Sequence, residues 1–148
     1  MGEFNTQGCQ ITHVFCAPNS KLTTIDREAF YSSVYLEYFD FSQNTVTNIG
    51  QWAFRNCMKL RPDLLQLSNK LISVGEYAFT GAFEALSNVT LVIPASVQTI
   101  GNRGFGNLNI GENSTIQVGE IDAEGNIIYS NLNLANGTSS ATELEKFS

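Results

Sequence analysis

Apolar and polar residues alternate in a pattern that recurs four times within this chain of 148 residues. Each copy has a branched aliphatic residue, a second one three positions later, and then a very small residue followed directly by phenylalanine. The four copies read SKLTTIDREAF, NTVTNIGQWAF, NKLISVGEYAF and ASVQTIGNRGF, and their phenylalanines lie 24, 25 and 26 positions apart. A nearly constant period in the twenties predicts a solenoid, because one coil of this length stacks on its neighbours to bury its apolar face.

Each recurring position has a predicted structural role. We expect the aliphatic residues and the phenylalanines to point inward and to stack on their equivalents at about the 4.8 Å spacing of paired strands. The small residue indicates a place where neighbouring backbones come too close for a larger side chain. The residue after the second aliphatic predicts a sharp corner with a left-handed backbone, because glycine and aspartate tolerate that conformation. The inward positions are Leu22, Ile25, Phe30, Val46, Ile49, Phe54, Leu71, Val74, Phe79, Val97, Ile100 and Phe105; the small residues are Ala29, Ala53, Ala78 and Gly104; the corner residues are Asp26, Gly50, Gly75 and Gly101.

A second apolar feature lies between the copies. Alternating pairs occur at Phe39 and Phe41, Leu65 and Leu67, Leu91 and Ile93, and Ile116 and Val118. Period-two alternation predicts strands with one face inward. We therefore expect one such strand per coil, paired in parallel into one continuous sheet, with a fifth strand in residues 11–16 (ITHVFC). The stretches after each phenylalanine are expected to form short helical turns or irregular structure on the other side.

The two ends of the chain differ from the repeats. Residues 116–132 contain two β-prone runs around DAEGN, which predicts a hairpin that caps the stack. The resulting division has four parts: residues 1–10 as a flank or cloning remnant, 11–118 as the solenoid, 119–134 as the hairpin cap and 135–148 as a polar tail.

Together these positions resemble the BspA-like (Treponema pallidum type) leucine-rich repeat family. The resemblance rests on the small residue before phenylalanine, the preceding Ile-Gly, the earlier aliphatic and a cysteine three residues after one phenylalanine, and it covers about residues 11–118. Asp26 and Gly104 depart from this pattern. The resemblance implies a leucine-rich repeat solenoid. It also implies a surface-exposed or secreted protein. Several members of the family act as adhesins that bind host matrix proteins or other cells.

Charge and composition exclude several other classes of protein. The net charge is −6, and the eight Lys and Arg residues form no basic run. Nucleic-acid partners need clustered cations, and insertion into a membrane needs about 18 consecutive apolar residues. We therefore expect neither a nucleic-acid partner nor direct membrane insertion. The opening MGEFNTQG is not a signal peptide, so the sequence leaves open an intracellular protein or one that follows a removed signal.

The sequence contains no convincing catalytic or metal-binding group. His13 lies in a predicted strand without a neighbouring repeated acid, which favours a surface or packing histidine over a general base. Cys9, His13 and Cys16 give only three candidate zinc ligands, and DAEGN fits a hairpin turn better than a calcium loop. Cys57 lies level with small residues in the other coils, which predicts a buried, inert thiol. We expect no enzyme activity, no cofactor and no metal site; a Cys9–Cys16 disulfide stays open.

What remains is the outer surface. If the alternating apolar residues face inward, their neighbours line one outer face as a recognition strip, since exposed aromatics bring contact area at small entropic cost. This candidate binding strip consists of Tyr38, Asp40, Gln66, Val92 and Gln117. Trp52 and Tyr77 share a column with Glu28 and Arg103 and form either a second patch or a site that the next coil covers.

The sequence thus predicts a non-catalytic protein-binding module, of the cell-surface or secreted adhesin type. Its ligand is expected to be a protein, such as host matrix or a component of another cell surface. The alternative is a structural spacer whose coils carry no ligand site, with that site elsewhere in a longer protein.

Overall fold

A computed structural model describes residues 10–41, 45–62, 64–65, 67–121, 123–125 and 127–128. These residues form a succession of short strands and turns, and they contain no helix. The strands are β1 His13–Phe15, β2 Thr24–Ile25, β3 Tyr38–Asp40, β4 Asn48–Ile49, β5 Ser73–Val74, β6 Thr90–Ile93, β7 Thr99–Ile100, β8 Thr115–Val118, β9 Glu120–Ile121 and β10 Ile127–Ile128.

The repeated phrases build one continuous parallel sheet. Its strand order is β2-β4-β5-β7, and we call it the repeat sheet. The pairing places each second aliphatic residue beside its equivalent in the next coil, as in Ile49 beside Val74. Coil-to-coil hydrogen bonds continue past the strands, since Phe54 N donates to Ala78 O at 2.7 Å and Phe79 N donates to Gly104 O at 2.8 Å. The prediction of a solenoid of stacked coils with a parallel sheet is confirmed.

The phenylalanines form a single ladder of stacked rings inside the solenoid. Ring centroids are 5.4 Å apart for Phe30 and Phe54, 5.1 Å for Phe54 and Phe79, and 5.0 Å for Phe79 and Phe105. The side chains of Phe54, Phe79 and Phe105 are fully buried. Leu22 differs from the other aliphatics because it is 38% exposed. It lines a cavity of about 330 Å³ beside the first rung of the repeat sheet, together with Ile25 and Phe30.

The predicted reason for the corner glycines is wrong. Gly50, Gly75 and Gly101 do not have a positive φ, whereas the residue two positions later does in every coil: Glu28 (59°), Trp52 (60°), Tyr77 (55°) and Arg103 (51°). The glycines are needed for close packing, because a Cβ on Gly75 would lie 2.5 Å from the backbone N of Gln51 in the preceding coil. Asp26 occupies the first rung of this sheet, where no earlier strand of the described residues pairs with β2.

The second set of strands does not form the continuous sheet that the alternation predicts. It forms two separate parallel pairs, β1–β3 and β6–β8, which we call the flanking pairs. In the coil between them, Leu65 and Leu67 are buried as expected but belong to no strand. The chain turns here, since the N–H groups of Leu64 and Leu65 both donate to Arg61 O. Pro62 favours this turn, and it has no backbone N–H group to donate to a neighbouring strand.

The remaining predictions for the fold concern the fifth strand and the hairpin. Strand β1 confirms the strand expected in residues 11–16 and pairs with β3. Strands β9 and β10 pair antiparallel around Gly125, as the hairpin prediction requires. The residues after each phenylalanine form turns, so the irregular alternative holds there. The chain from residue 129 onwards, including the predicted tail, lies outside the described residues.

Candidate functional site

The outer face of the β1–β3 pair carries a cluster of three aromatic rings. The pairing places His13 beside Tyr38 and Phe15 beside Asp40, and it turns Phe39 into the core. Ring centroids are 5.5 Å apart for Phe15 and Tyr38, 5.9 Å for His13 and Tyr38, and 6.0 Å for His13 and Phe15. Phe15 is 66% exposed, which is unusual for so large an apolar side chain. We call His13, Phe15 and Tyr38 the aromatic cluster.

The outer face of the β6–β8 pair is of a different kind. Val92 lies beside Gln117 in the pairing, and both side chains are half-buried. The amide Nε2 of Gln117 donates to Gly119 O at 3.0 Å, which holds this side chain along its own strand. This face therefore offers a small aliphatic and amide surface without aromatic rings on the described strands.

The described members of the predicted strip therefore lie in two separate sheets. Tyr38 and Asp40 belong to the first flanking pair, and Val92 and Gln117 to the second. Gln66, the residue expected to join them, lies outside the described residues. No single sheet of the described strands carries all four of these side chains on one face.

Sequence reasoning missed two members of the aromatic cluster. His13 was interpreted as an isolated surface or packing histidine, and Phe15 was not singled out. The signal was present in the period-two alternation of ITHVFC, because Val14 pairs with the inward Phe39 and its two neighbours must then face outward. His13 Nδ1 also lies 2.9 Å from Thr12 Oγ1.

A second group of aromatic and charged side chains lies at the corner that follows the repeat sheet. The guanidinium carbon of Arg27 lies 4.9 Å from the ring centroid of Trp52, and that of Arg55 lies 6.0 Å from the same centroid and 5.6 Å from that of Tyr77. Trp52 and Tyr77 are half-buried. The two aromatic side chains are thus neither isolated on the surface nor fully covered by the next coil.

The two described cysteines have different environments. Cys57 is fully buried and its Sγ donates to Phe30 O at 3.1 Å. Burial raises the pKa of the Cys57 thiol to about 12, although a backbone hydrogen bond from Ser33 acts in the opposite direction. Cys16 is a half-buried free thiol whose pKa is raised by burial and by the charge of Asp40. The prediction of a buried, inert Cys57 agrees with this environment, whereas Cys9 lies outside the described residues.

Within the described ranges, no group of three or more His, Cys, Asp or Glu side chains could hold a metal ion. The same ranges contain no helix long and apolar enough to cross a membrane.

Comparison with family models agrees with the stacked coils and their phenylalanine ladder. The model of a BspA type leucine rich repeat region, which comprises six copies, matches residues 2–111 and again residues 62–145. The chain belongs to the BspA-type leucine-rich repeat family. Neither the curated proteins nor the solved structures contain a match to it. Membership of this repeat family suggests a protein-interaction module. Leucine-rich repeat families are generally non-catalytic.

Proposed function

We propose that this BspA-type region is a non-catalytic adhesin-type module of a cell-surface or secreted protein, and that it binds a protein ligand through its outer strands. The observation that carries the proposal is the aromatic cluster on β1 and β3. Three rings packed side by side on an exposed sheet face bring a large contact area, and their backbone is already ordered in strands. Such rigid aromatic groups lose little conformational entropy on binding.

The chemistry of the flanking pairs supports a protein as the ligand. The aromatic cluster offers apolar surface beside the carboxylate of Asp40, which lies next to Phe15 in the pairing. An exposed apolar patch rimmed by polar groups is typical of a protein-binding surface. Val92 and Gln117 add a smaller contact area if the ligand extends to the second pair. Ligands of this kind include host matrix proteins and proteins on another cell surface.

The test compares binding variants with a matched surface variant. Phe15→Ser combined with Tyr38→Ser removes two rings of the cluster, whereas Tyr35→Ser removes an aromatic ring that is 49% exposed but belongs to no strand. Binding to purified, surface-coated extracellular-matrix proteins is measured by biolayer interferometry. The double variant is expected to lose binding while its thermal transition and that of Tyr35→Ser stay close to the parent protein.

Val92→Ser separates a one-patch ligand from a two-patch ligand, because Val92 lies in the second flanking pair. A partial loss of affinity indicates a ligand that reaches both pairs. Unchanged binding by the Phe15 and Tyr38 double variant would refute the aromatic cluster as the site. A parent protein that binds none of the matrix or cell-surface proteins would instead favour the spacer role.

A further inference from the structure

The corner after the repeat sheet contains a second set of side chains whose chemistry calls for a ligand. The chain has four arginines, and three of them, Arg27, Arg55 and Arg103, lie at this corner with Trp52 and Tyr77. We call these five residues the corner surface. We propose that the corner surface binds a carboxylate-bearing segment of a protein partner, with Arg55 as the residue that holds the carboxylate.

The backbone conformation shows that the side chains at this corner were not chosen for the turn itself. Each coil has two left-handed positions, two residues before and two residues after its phenylalanine. The later position holds residues that tolerate this conformation: Ser32 (52°), Asn56 (61°), Gly81 (68°) and Asn107 (47°). The earlier position holds Glu28, Trp52, Tyr77 and Arg103, although bulky side chains are unfavourable at positive φ. A turn alone does not account for a tryptophan and a tyrosine there.

Arg55 is held between two rings without an anionic partner. Its guanidinium carbon lies 6.0 Å from the Trp52 centroid and 5.6 Å from the Tyr77 centroid. Its Nε atom is buried and donates to no acceptor in the described structure, and no described carboxylate pairs with it. Burial of the Nε–H group without an acceptor is costly, and the terminal N–H groups of this half-buried side chain can donate to an added anion.

Two further observations concern the hydrogen-bonding groups around Arg55. The indole Nε1 of Trp52 is also buried and has no acceptor within the described residues. Two carboxylates also lie at this corner: Glu28 Oε1 accepts from Arg27 Nε at 3.1 Å and Glu76 Oε2 accepts from Gln51 Nε2 at 3.0 Å, and neither pairs with Arg55. The donors that a ligand can reach here are the terminal N–H groups of Arg55, which are not among the buried atoms that lack a partner, and a carboxylate is the acceptor that fits a guanidinium fork.

The surrounding charges favour a peptide over a continuous polyanion. The corner also carries Glu28 and Glu76, and the whole chain has a net charge of −6. A long sulfated chain would pass close to these negative groups. A short peptide can place one of its carboxylates on Arg55 and direct any others away from Glu28 and Glu76, and its apolar side chains can contact the edges of Trp52 and Tyr77.

Trp52 is the single tryptophan of the chain, so it reports directly on this site. The capped peptide GELELEG is titrated into the protein while the indole N–H resonance is followed by NMR and the emission by fluorescence. We expect a saturable change with GELELEG and at least about tenfold weaker binding of the isosteric peptide GQLQLQG, which lacks the carboxylates. This comparison uses the unmodified chain and does not depend on how any variant folds.

Variants of Arg55 test whether this residue holds the carboxylate of the peptide. Arg55→Gln is expected to weaken GELELEG binding at least about tenfold, and Arg55→Lys is expected to weaken it less, because an ammonium keeps the charge but loses the planar fork. Lys70→Gln removes the same charge from an exposed residue outside the corner surface and is expected to bind as the parent protein does. The Phe15 and Tyr38 double variant is also expected to bind GELELEG normally, which keeps this result distinct from the proposed adhesin site.

Three outcomes would overturn the proposal. The first is an indole signal that responds equally to GELELEG and GQLQLQG. The second is unchanged affinity in a folded Arg55→Gln variant. The third is a response to a heparin tetrasaccharide in the absence of any response to GELELEG, which would assign the corner surface to a sulfated glycan.

Discussion

The repeat sheet and the flanking pairs are built from the same coils, yet only the repeat sheet runs without a break. Its strands are just two residues long, but each has an equivalent in the next coil, from Thr24–Ile25 to Thr99–Ile100. The flanking strands are three or four residues long and stop at the coil that contains Pro62. Continuity in a solenoid therefore depends on the same position being kept in every coil rather than on the length of each strand.

The largest difference between the two regions is expected in the phenylalanine ladder behind the repeat sheet. Phe79→Ala leaves a cavity between two stacked rings, since the Phe79 ring lies 5.1 Å from that of Phe54 and 5.0 Å from that of Phe105. The free energy of unfolding is expected to fall by about 3 to 5 kcal/mol, as measured by urea denaturation. Phe15→Ala on the exposed face of β1 is the control and is expected to change it by less than about 1 kcal/mol. Equal losses in the two variants would contradict an interior ladder.

The second prediction concerns the close packing of coils in the repeat sheet. A Cβ on Gly75 would lie 2.5 Å from Gln51 N and 2.6 Å from the carbonyl carbon of Gly50. Gly75→Ala is expected to destabilise the fold by about 1 to 3 kcal/mol, because the backbone of the preceding coil must shift. Asp26 occupies the equivalent position on the first rung and already carries a Cβ, so Asp26→Ala is expected to cost less. Thermal and urea unfolding of both variants measure the difference, and a neutral Gly75→Ala would show that the coils have room to separate.

The third prediction uses the two thiols as reporters of the two regions. Burial raises the pKa of Cys57 from 9.0 to about 12, so the folded state keeps a proton that the unfolded state releases above pH 9. This contribution to stability is complete below pH 9 and is lost as the pH rises towards 12, at up to about 1.4 kcal/mol per pH unit. Replacing Cys57 with Ala should make the pH dependence of unfolding flatter in that range.

Thiol labelling provides the accompanying check. In a Cys9→Ser background at pH 8, an aromatic disulfide reagent is expected to modify the half-buried Cys16 and to reach Cys57 only after unfolding. Rapid labelling of Cys57 in the native protein would mean that the core behind the repeat sheet opens readily.

The smallest expected effect compares one hydroxyl in each region. Ser73 Oγ donates to Asn48 Oδ1 at 2.6 Å, which links two strands of the repeat sheet. Ser73→Ala is expected to cost about 1 kcal/mol in the free energy of unfolding. Thr90 is exposed at the start of β6, and Thr90→Ala is expected to change that free energy by no more than about 0.5 kcal/mol. Similar values for the two variants would remove the energetic distinction between a continuous ladder and a broken one.

Sequence periodicity predicted the interior well and the exterior poorly. Phe54, Phe79 and Phe105 are buried and stacked as expected, because their spacing alone places them on equivalent points of successive coils. The predicted binding strip depended on a continuous second sheet, and the turn at Pro62 divides it. A single proline has little effect on a period of 25 residues but removes a donor from the ladder at that point.

Prediction from sequence was also limited at the corner that follows the repeat sheet. Glycine after the second aliphatic was interpreted as a sign of a left-handed backbone, yet the left-handed residues are Trp52 and Tyr77 and their equivalents. Composition cannot distinguish a glycine that needs a positive φ from one that needs space for a neighbouring backbone, because both situations remove the side chain. The distances from Gly50 and Gly75 to the preceding coil make that distinction.

The sequence by itself determined the solenoid, its period and most of its inward residues, because burial of apolar side chains repeats with the chain; Leu22, which is 38% exposed, is the exception among the repeat aliphatics. Only the tertiary structure decided which outer side chains meet. His13 and Phe15 reach Tyr38 through pairing between coils, and Arg55 lies against both Trp52 and Tyr77, which come from its own coil and from the next. Contacts of this kind depend on the stagger between neighbouring coils, which is set by backbone pairing and close packing and leaves no periodic mark on the exposed residues.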